Sequence, residues 1–274
     1  GTANGGGVLF NRVTFDGSGA ALSGTQAGTG NWTIGTPGNR VQGDGLRFDG
    51  PTGDLLFNSM NIANDNGTGL YVDTKTLGTA FSLATTNPAS VDTTNGSALF
   101  LDPLTVNMTF SGLSSTNSGT NGIWLDGVSG NLTVTGTTTS NNAGGHGILI
   151  ENSDGTFNFN DINVDTPGAD GIHINNTPSA TINFNGTTTI QGTTGDGIDL
   201  SSAGGGVTFS TTSISGAGAD GINLSNATGT YAFGGTTING FEATNVGINF
   251  AGAAADVTFG VTDIGNGGVG TAID

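Results

Sequence analysis

The sequence predicts an all-β fold: a parallel β-helix (β-solenoid) of about eleven rungs of ~25 residues, with three short strands per rung. Three observations carry this. The segments GADGIHINN, GDGIDLSS and GADGINLSN recur between Gly168 and Asn226, separated by ATINFNGTTTIQG and GVTFSTTSISG. Within each unit, residues alternate in short runs such as Ile172/Ile174, Ile182/Phe184 and Thr188/Ile190, the period of a half-buried strand. Runs this short cannot bury a face alone, so each unit must stack on its neighbours.

The third observation is that the beat persists. The residue before each first run is Gly45, Gly69, Ala98, Gly122, Gly147, Gly171, Gly197, Gly221, Gly247 and Gly270. The spacing stays close to its mean throughout, and only the step from Gly69 to Ala98 is clearly longer than the rest. Second runs follow at Leu132–Val134, Phe157–Phe159, Ile182–Phe184, Val207–Phe209, Tyr231–Phe233 and Val257–Phe259. Gly, Asn, Asp and Ser fall between runs, where a corner needs positive φ or a side chain that bonds nearby backbone.

Taken in order, residues 1–42 form irregular first rungs, in which Val8–Phe10, Val13–Phe15, Ala20–Leu22 and Trp32–Ile34 still read as strands. Residues 73–97 hold the long rung, with an inserted loop expected at Pro88. From Gly119 to Gly270 the rungs are nearly uniform, and no linker divides the chain, so 1–274 reads as a single domain.

On these repeats the chain resembles the right-handed parallel β-helix (pectate-lyase-like) superfamily. It is more closely similar to the Gly/Thr/Asn-rich repeats of large secreted bacterial surface proteins. The resemblance implies a right-handed coil and an extracellular or cell-surface setting.

Composition narrows the function. With 21 acids against four bases the net charge is −17, and the bases (Arg12, Arg40, Arg47, Lys75) all lie at or before Lys75. A nucleic-acid partner needs a basic footprint, so that class is excluded, and anionic lipid surfaces are disfavoured. No membrane-inserting segment or signal peptide is visible. Cysteine is absent, which removes disulfides and thiolate metal sites. The chain opens at Gly1 without methionine, as a processed or excerpted chain would.

Alternation predicts one outward column: Arg47, Tyr71, Phe100, Trp124, Leu149, His173, Asp199, Asn223 and Asn249. Within it Tyr71, Phe100 and Trp124 make an aromatic strip suited to stacking on sugar rings, and with His173 they are the candidate glycan- or partner-binding residues. The same strip would serve equally as a packing or self-association patch. Substitution at outward His173 is expected to be tolerated, unlike Ile174. Two positions further on runs an acidic column, Asp49, Asp73, Asp102, Asp126 and Glu151, followed by Asn175 and Ser201. Stacked carboxylates repel, and calcium, a hard oxygen-seeking cation, is the candidate ligand against simple solvation. A third set, Asp44, Asp170, Asp196 and Asp220, precedes the Gly-Ile or Gly-Leu step and reads as Asx-turn corners.

Many β-helices cleave polysaccharides, yet this chain departs from their patterns. Gly145-His146-Gly147 coincides with a tripeptide of polygalacturonase-like hydrolases, but the Asn-Thr-Asp, Asp-Asp and Arg-Ile-Lys elements of that family are missing. His146 stands where other rungs carry Asp170 or Asp196, as a corner residue would. Lyase chemistry would need a base near the column, where only Arg47 and Lys75 qualify, and the acidic surface would repel a uronate. The residues left for an enzyme reading are Asp126, Glu151 and Asp199. Thr runs at 137–139 and 187–189 resemble ice-binding ladders but recur in too few rungs.

The sequence therefore points to a non-catalytic structural or adhesive solenoid, with no required cofactor. The alternatives are a polysaccharide-active enzyme or a passenger fragment of a larger adhesin. Counting on from Gly270 into a second copy puts Ala20 and Gly45 on the beat and Val8–Phe10 in the place of Val257–Phe259. This predicts a head-to-tail homopolymer held by Val8, Leu9, Phe10, Val13, Phe15, Thr271 and Ile273.

Overall fold

The computed structural model describes residues 32–274 apart from 75–80, 241–244, 266–270 and 274, plus the backbone of strands Val8–Phe10, Val13–Asp16 and Leu22–Thr25. Among the described residues there is no helix, and every strand ladder is parallel. The fold is an all-β parallel solenoid.

The strands line up in two sheets. Each first run lies in an eleven-stranded sheet that starts with Val13–Asp16 and ends with Thr271–Ile273. The second and third runs share a sixteen-stranded sheet. Between Leu104 and Asn239 they fuse into single strands such as Val128–Asn141, bent by a register irregularity between Val134 and Thr137, and in the last rung they separate again as Asp256–Phe259 and Thr262–Gly265. Three runs per rung are thus present, but the second corner is a bulge rather than a break.

About nine turns are formed, against the eleven expected. The regular ones run from Leu46 to Thr271. Upstream the beat fails: Val13 pairs directly with Leu46, a longer step than any in the regular rungs. Of the expected run Ala20–Leu22, Ala20 and Ala21 lie outside the described residues, and the strand that follows, Leu22–Thr25, pairs with Gly53–Leu56 in the second line. Val8–Phe10 pairs with Trp32–Ile34 and so, through Met60–Ile62, joins the third line, whereas Val257–Phe259 lies in the second. The predicted continuation of one copy into the next loses its register on this point. Both runs alternate alike, so spacing could not tell the second from the third.

The long rung also differs from expectation. Pro88 is no excursion, because Asn87 N–H donates to Asn58 O and Ser59 Oγ to Pro88 O, following the rung below. Asp73 pairs with Asp49, an offset of 24, and Phe81 with Gly53, an offset of 28. Most of the extra length thus enters between Asp73 and Phe81, mainly in residues outside those described.

Inside, the alternation holds as read. Ile172, Ile174, Ile182, Phe184 and Ile190 are fully buried. Phe159, Phe184, Phe209, Phe233 and Phe259 stack face to face, 4.4–5.4 Å apart within 13° of parallel. Beside this stack Thr188, Thr212 and Thr236 align in register, buried, with hydroxyls that find no hydrogen-bond partner.

Glycine serves the two ends of the first-run corner differently. After the third run one residue per rung is left-handed: Asn66, Asn95, Asn117, Asn142, Thr166, Gly192, Gly216 and Gly240, with φ of 50–70°. The anchor glycine needs room instead. A Cβ on Gly171 would lie 2.4 Å from Ile190 Cγ2 and 2.5 Å from the Gly197 carbonyl oxygen.

Candidate functional site

The outer face of the eleven-stranded sheet carries both predicted columns in register. Arg47 pairs with Tyr71, Tyr71 with Phe100, Phe100 with Trp124, Trp124 with Leu149 and Leu149 with His173. His173 continues to Asp199, Asn223 and Asn249. Two members are covered rather than outward-exposed: Leu149 is 7% and Asp199 8% accessible. Leu149 lies between Trp124 and His173, and Asp199 between His173 and Asn223.

The aromatic strip exists, but its faces are occupied within the protein. Tyr71 and Phe100 stack at 4.8 Å and 9°, and the Arg47 guanidinium covers Tyr71 at 3.8 Å. Rings stacked along the axis present their edges outward, not the flat platform a sugar would need. Trp124 is turned 79° to Phe100, and its indole N–H donates to Glu151 Oε1 at 2.9 Å.

The acidic column is likewise met from within. Asp49 lies 3.6 Å from Arg47, Asp73 accepts from the Tyr71 hydroxyl, Asp126 from Asn152 and Glu151 from Trp124. Asp102, between Asp73 and Asp126, is the member in tension: burial, then the charges of Asp126, Asp73 and Glu151, push its carboxyl up to about 6. Lys75 lies outside the described residues.

The corner acids do more than turn the chain. Asp44 Oδ1 accepts the backbone N–H of Thr68 in the next rung, Asn121 that of His146, Asp170 that of Asp196, Asp196 that of Asp220, and Asp220 that of Val246, all at 2.7–2.9 Å. His146 fills the same place, its Nδ1 facing the Asp170 amide at 3.3 Å, the longest contact in the series. The expected local Asx turns are thus rung-to-rung braces, invisible to a reading of neighbours along the chain.

These braces bring together residues that the sequence kept apart. His146 and His173, the two histidines of the chain, have ring centroids 4.6 Å apart. Asp170 Oδ2 lies 3.1 Å from His146 Nδ1 and 3.0 Å from His173 Nδ1, and Asp199 Oδ2 lies 2.9 Å from His173 Nδ1. Burial works against ionisation of both Asp170 and His173. For Asp170, bonds from His146, His173 and the Asp196 amide outweigh it and hold the carboxyl far below its usual range. For His173, Asp170 and Asp199 outweigh it and push the imidazole up to about 9. Asp196 goes the other way, raised to about 6 by burial and the charges of Asp170 and Asp199. His173 is therefore no freely substitutable outward residue. The signal for this cluster was there, in that His146 and His173 sit in adjacent rungs, one at a corner position and the other in the column.

Elsewhere, a depression of about 250 Å³ lies over the bulge of the sixteen-stranded sheet, lined by Ser90, Asp92, Gly112, Ser114, Thr137 and Thr139. Nearby Arg40 is held by Asp92 and by the carbonyls of Asn64 and Asp92. Among the described residues no helix is long and apolar enough to cross a membrane. No protein family, curated protein or solved structure matches the chain.

Proposed function

We propose that this chain is a non-catalytic extracellular or cell-surface β-solenoid, a structural or adhesive element. The reading keeps the resemblance to right-handed β-helices and to Gly/Thr/Asn-rich secreted bacterial repeats. One observation carries it: the polar outer residues bond to the rung above or below, in aromatic, asparagine and carboxylate ladders, as in a stiff rod. Asn142 bonds Asn117, Asn183 bonds Asn158, and the corner acids brace consecutive amides.

Adhesion on this reading centres on Trp124, whose plane departs from the Tyr71–Phe100 stack, with calcium on the acidic column as a companion ion. A neutral-glycan array, run with and without calcium on wild type and Trp124→Ala, tests it. Binding lost in the variant supports adhesion through this face, and blank arrays in both conditions remove it. Self-association by stacking of copies is the assembly expected of such a rod. Sedimentation across a wide concentration range tests it, and a monomer throughout removes it.

The enzyme alternative would draw on Asp126, Glu151 and Asp199. Their partners are Asn152, Trp124 and His173, which makes the carboxylates braces as much as acids. Release of reducing or unsaturated ends from any member of a polysaccharide panel would overturn the non-catalytic reading.

A further inference from the structure

We propose that His146, Asp170 and His173, with Asp199 held against His173, form a binding site for a divalent transition-metal ion of the zinc class. One donor atom each from His146, Asp170 and His173 lie within 4.8 Å of one another. The closest contacts among the four side chains are 2.9–3.1 Å. Donors on a tetrahedral zinc with bonds of about 2.1 Å stand roughly 3.4 Å apart, so small side-chain rotations open the cluster around an ion. Two imidazoles with a carboxylate are a donor set for zinc, cobalt, nickel or copper, water completing the coordination, rather than for calcium, which seeks six to eight oxygens.

The hydrogen bonding around the cluster points the same way. His146 Nδ1 faces the Asp170 N–H at 3.3 Å and the Asp170 carboxylate at 3.1 Å. As an acceptor it suits the amide and opposes the carboxylate; as a donor it does the reverse. A cation between nitrogen and oxygen relieves the carboxylate side of that conflict. His173 Nδ1 likewise meets two carboxylate oxygens with at most one proton to offer, and a divalent ion would meet both.

The supporting shell is already built. Asp170 Oδ1 accepts the Asp196 amide at 2.7 Å, which leaves Oδ2 aimed at the histidines. Asp199 accepts the Ser201 amide at 2.8 Å and the Ser201 hydroxyl at 3.0 Å. Carboxylates fixed by second bonds of this kind orient metal ligands in advance.

The repeat supplies its own controls. Asn121 occupies the corner below His146 and braces that residue's amide, so His146→Asn keeps the brace and removes the ligand. Asn223 and Asn249 occupy the column of His173, so His173→Asn copies a side chain that the fold accepts there. The experiment is calorimetric titration of tag-free, chelator-stripped full chain with Zn2+, with Ca2+ in parallel and Co2+ as a visible-absorption probe. Expected are one Zn2+ per chain, no Ca2+ at this site, four-coordinate Co2+ bands, and a loss of at least about tenfold in Zn2+ affinity in each variant. Circular dichroism and thermal midpoints confirm that both variants fold. Lack of one-to-one Zn2+ binding, or unchanged affinity in either folded variant, overturns the proposal.

Discussion

His173 and Ile174 are consecutive residues of one strand that face opposite worlds: Ile174 is fully buried, while His173 Nδ1 reaches Asp170 and Asp199 at 3.0 and 2.9 Å. Ile174→Asp places a charge in the packed interior and is expected to cost more than about 4 kcal/mol. His173→Asp sets a third carboxylate against two and is expected to destabilise more than His173→Asn at pH 8. That gap should narrow at acid pH, where carboxylates lose the charge that repels. Denaturant midpoints of the three variants check this, and equal midpoints for His173→Asp and His173→Asn at pH 8 would refute the clustering.

Thr166 is the β-branched residue in the line of left-handed corners, at φ 50°, where adjoining rungs carry Asn142 and Gly192. That conformation costs such residues about 1–2 kcal/mol. Thr166→Asn and Thr166→Gly should each stabilise by about 1 kcal/mol, read as a higher thermal midpoint. A lower midpoint in both would show that the methyl group packs usefully.

Thr212 stands between Thr188 and Thr236 with a buried hydroxyl lacking a partner. Replacing it by valine keeps the branch and removes the desolvated oxygen. We expect a gain of about 1 kcal/mol, or a midpoint about 2 °C higher. A loss of stability would indicate internal water bonded to the threonine line.

Asp102 gives a pH test with a defined sign. Its folded-state value is raised to about 6, so its protonated form favours the fold below its unfolded value of 3.8, and that favour is lost as pH rises through about 6. Asp170, His173 and Asp196 titrate too, so the quantity to measure is the difference between wild type and Asp102→Asn. The variant should be the more stable above pH 7, by at most about 1 kcal/mol because Asp102 is partly exposed and screened, and the advantage should vanish at pH 4. Calcium that raises the wild-type midpoint at pH 8 but not that of the variant would place the ion on this column.

The sequence revealed what repeats in phase and hid what crosses between phases. Ile172 and Ile174 inward, the Tyr71–Phe100–Trp124 order and the Asp49–Glu151 column all follow from alternation plus a steady beat. Ring orientation does not, because Tyr71 and Phe100 could have lain flat outward or stacked, and stacking buries more surface. The His146–Asp170–His173–Asp199 cluster joins a corner position to a column position across rungs, a diagonal that a column-by-column reading passes over. The anchor glycines were expected to serve turns, whereas Gly171 is there because the next rung's carbonyl leaves no space for a Cβ. Val8–Phe10 belongs to the third line, and nothing local in its residues separates a second run from a third.

The corner braces have a consequence for how such a chain can change length. Asp170, Asp196 and Asp220 each receive an amide from the rung that follows and lend their own amide to the rung that precedes. Each rung is therefore a plug and a socket of one pattern. Excising Gly197–Asp220 would join Asp196 directly to Gly221, again a glycine followed by isoleucine, and would present Asp196 to Val246 in place of Asp220. Whole rungs can then be lost or duplicated without re-inventing a junction, so reach becomes a quantity that recombination adjusts in fixed steps of about 4.8 Å.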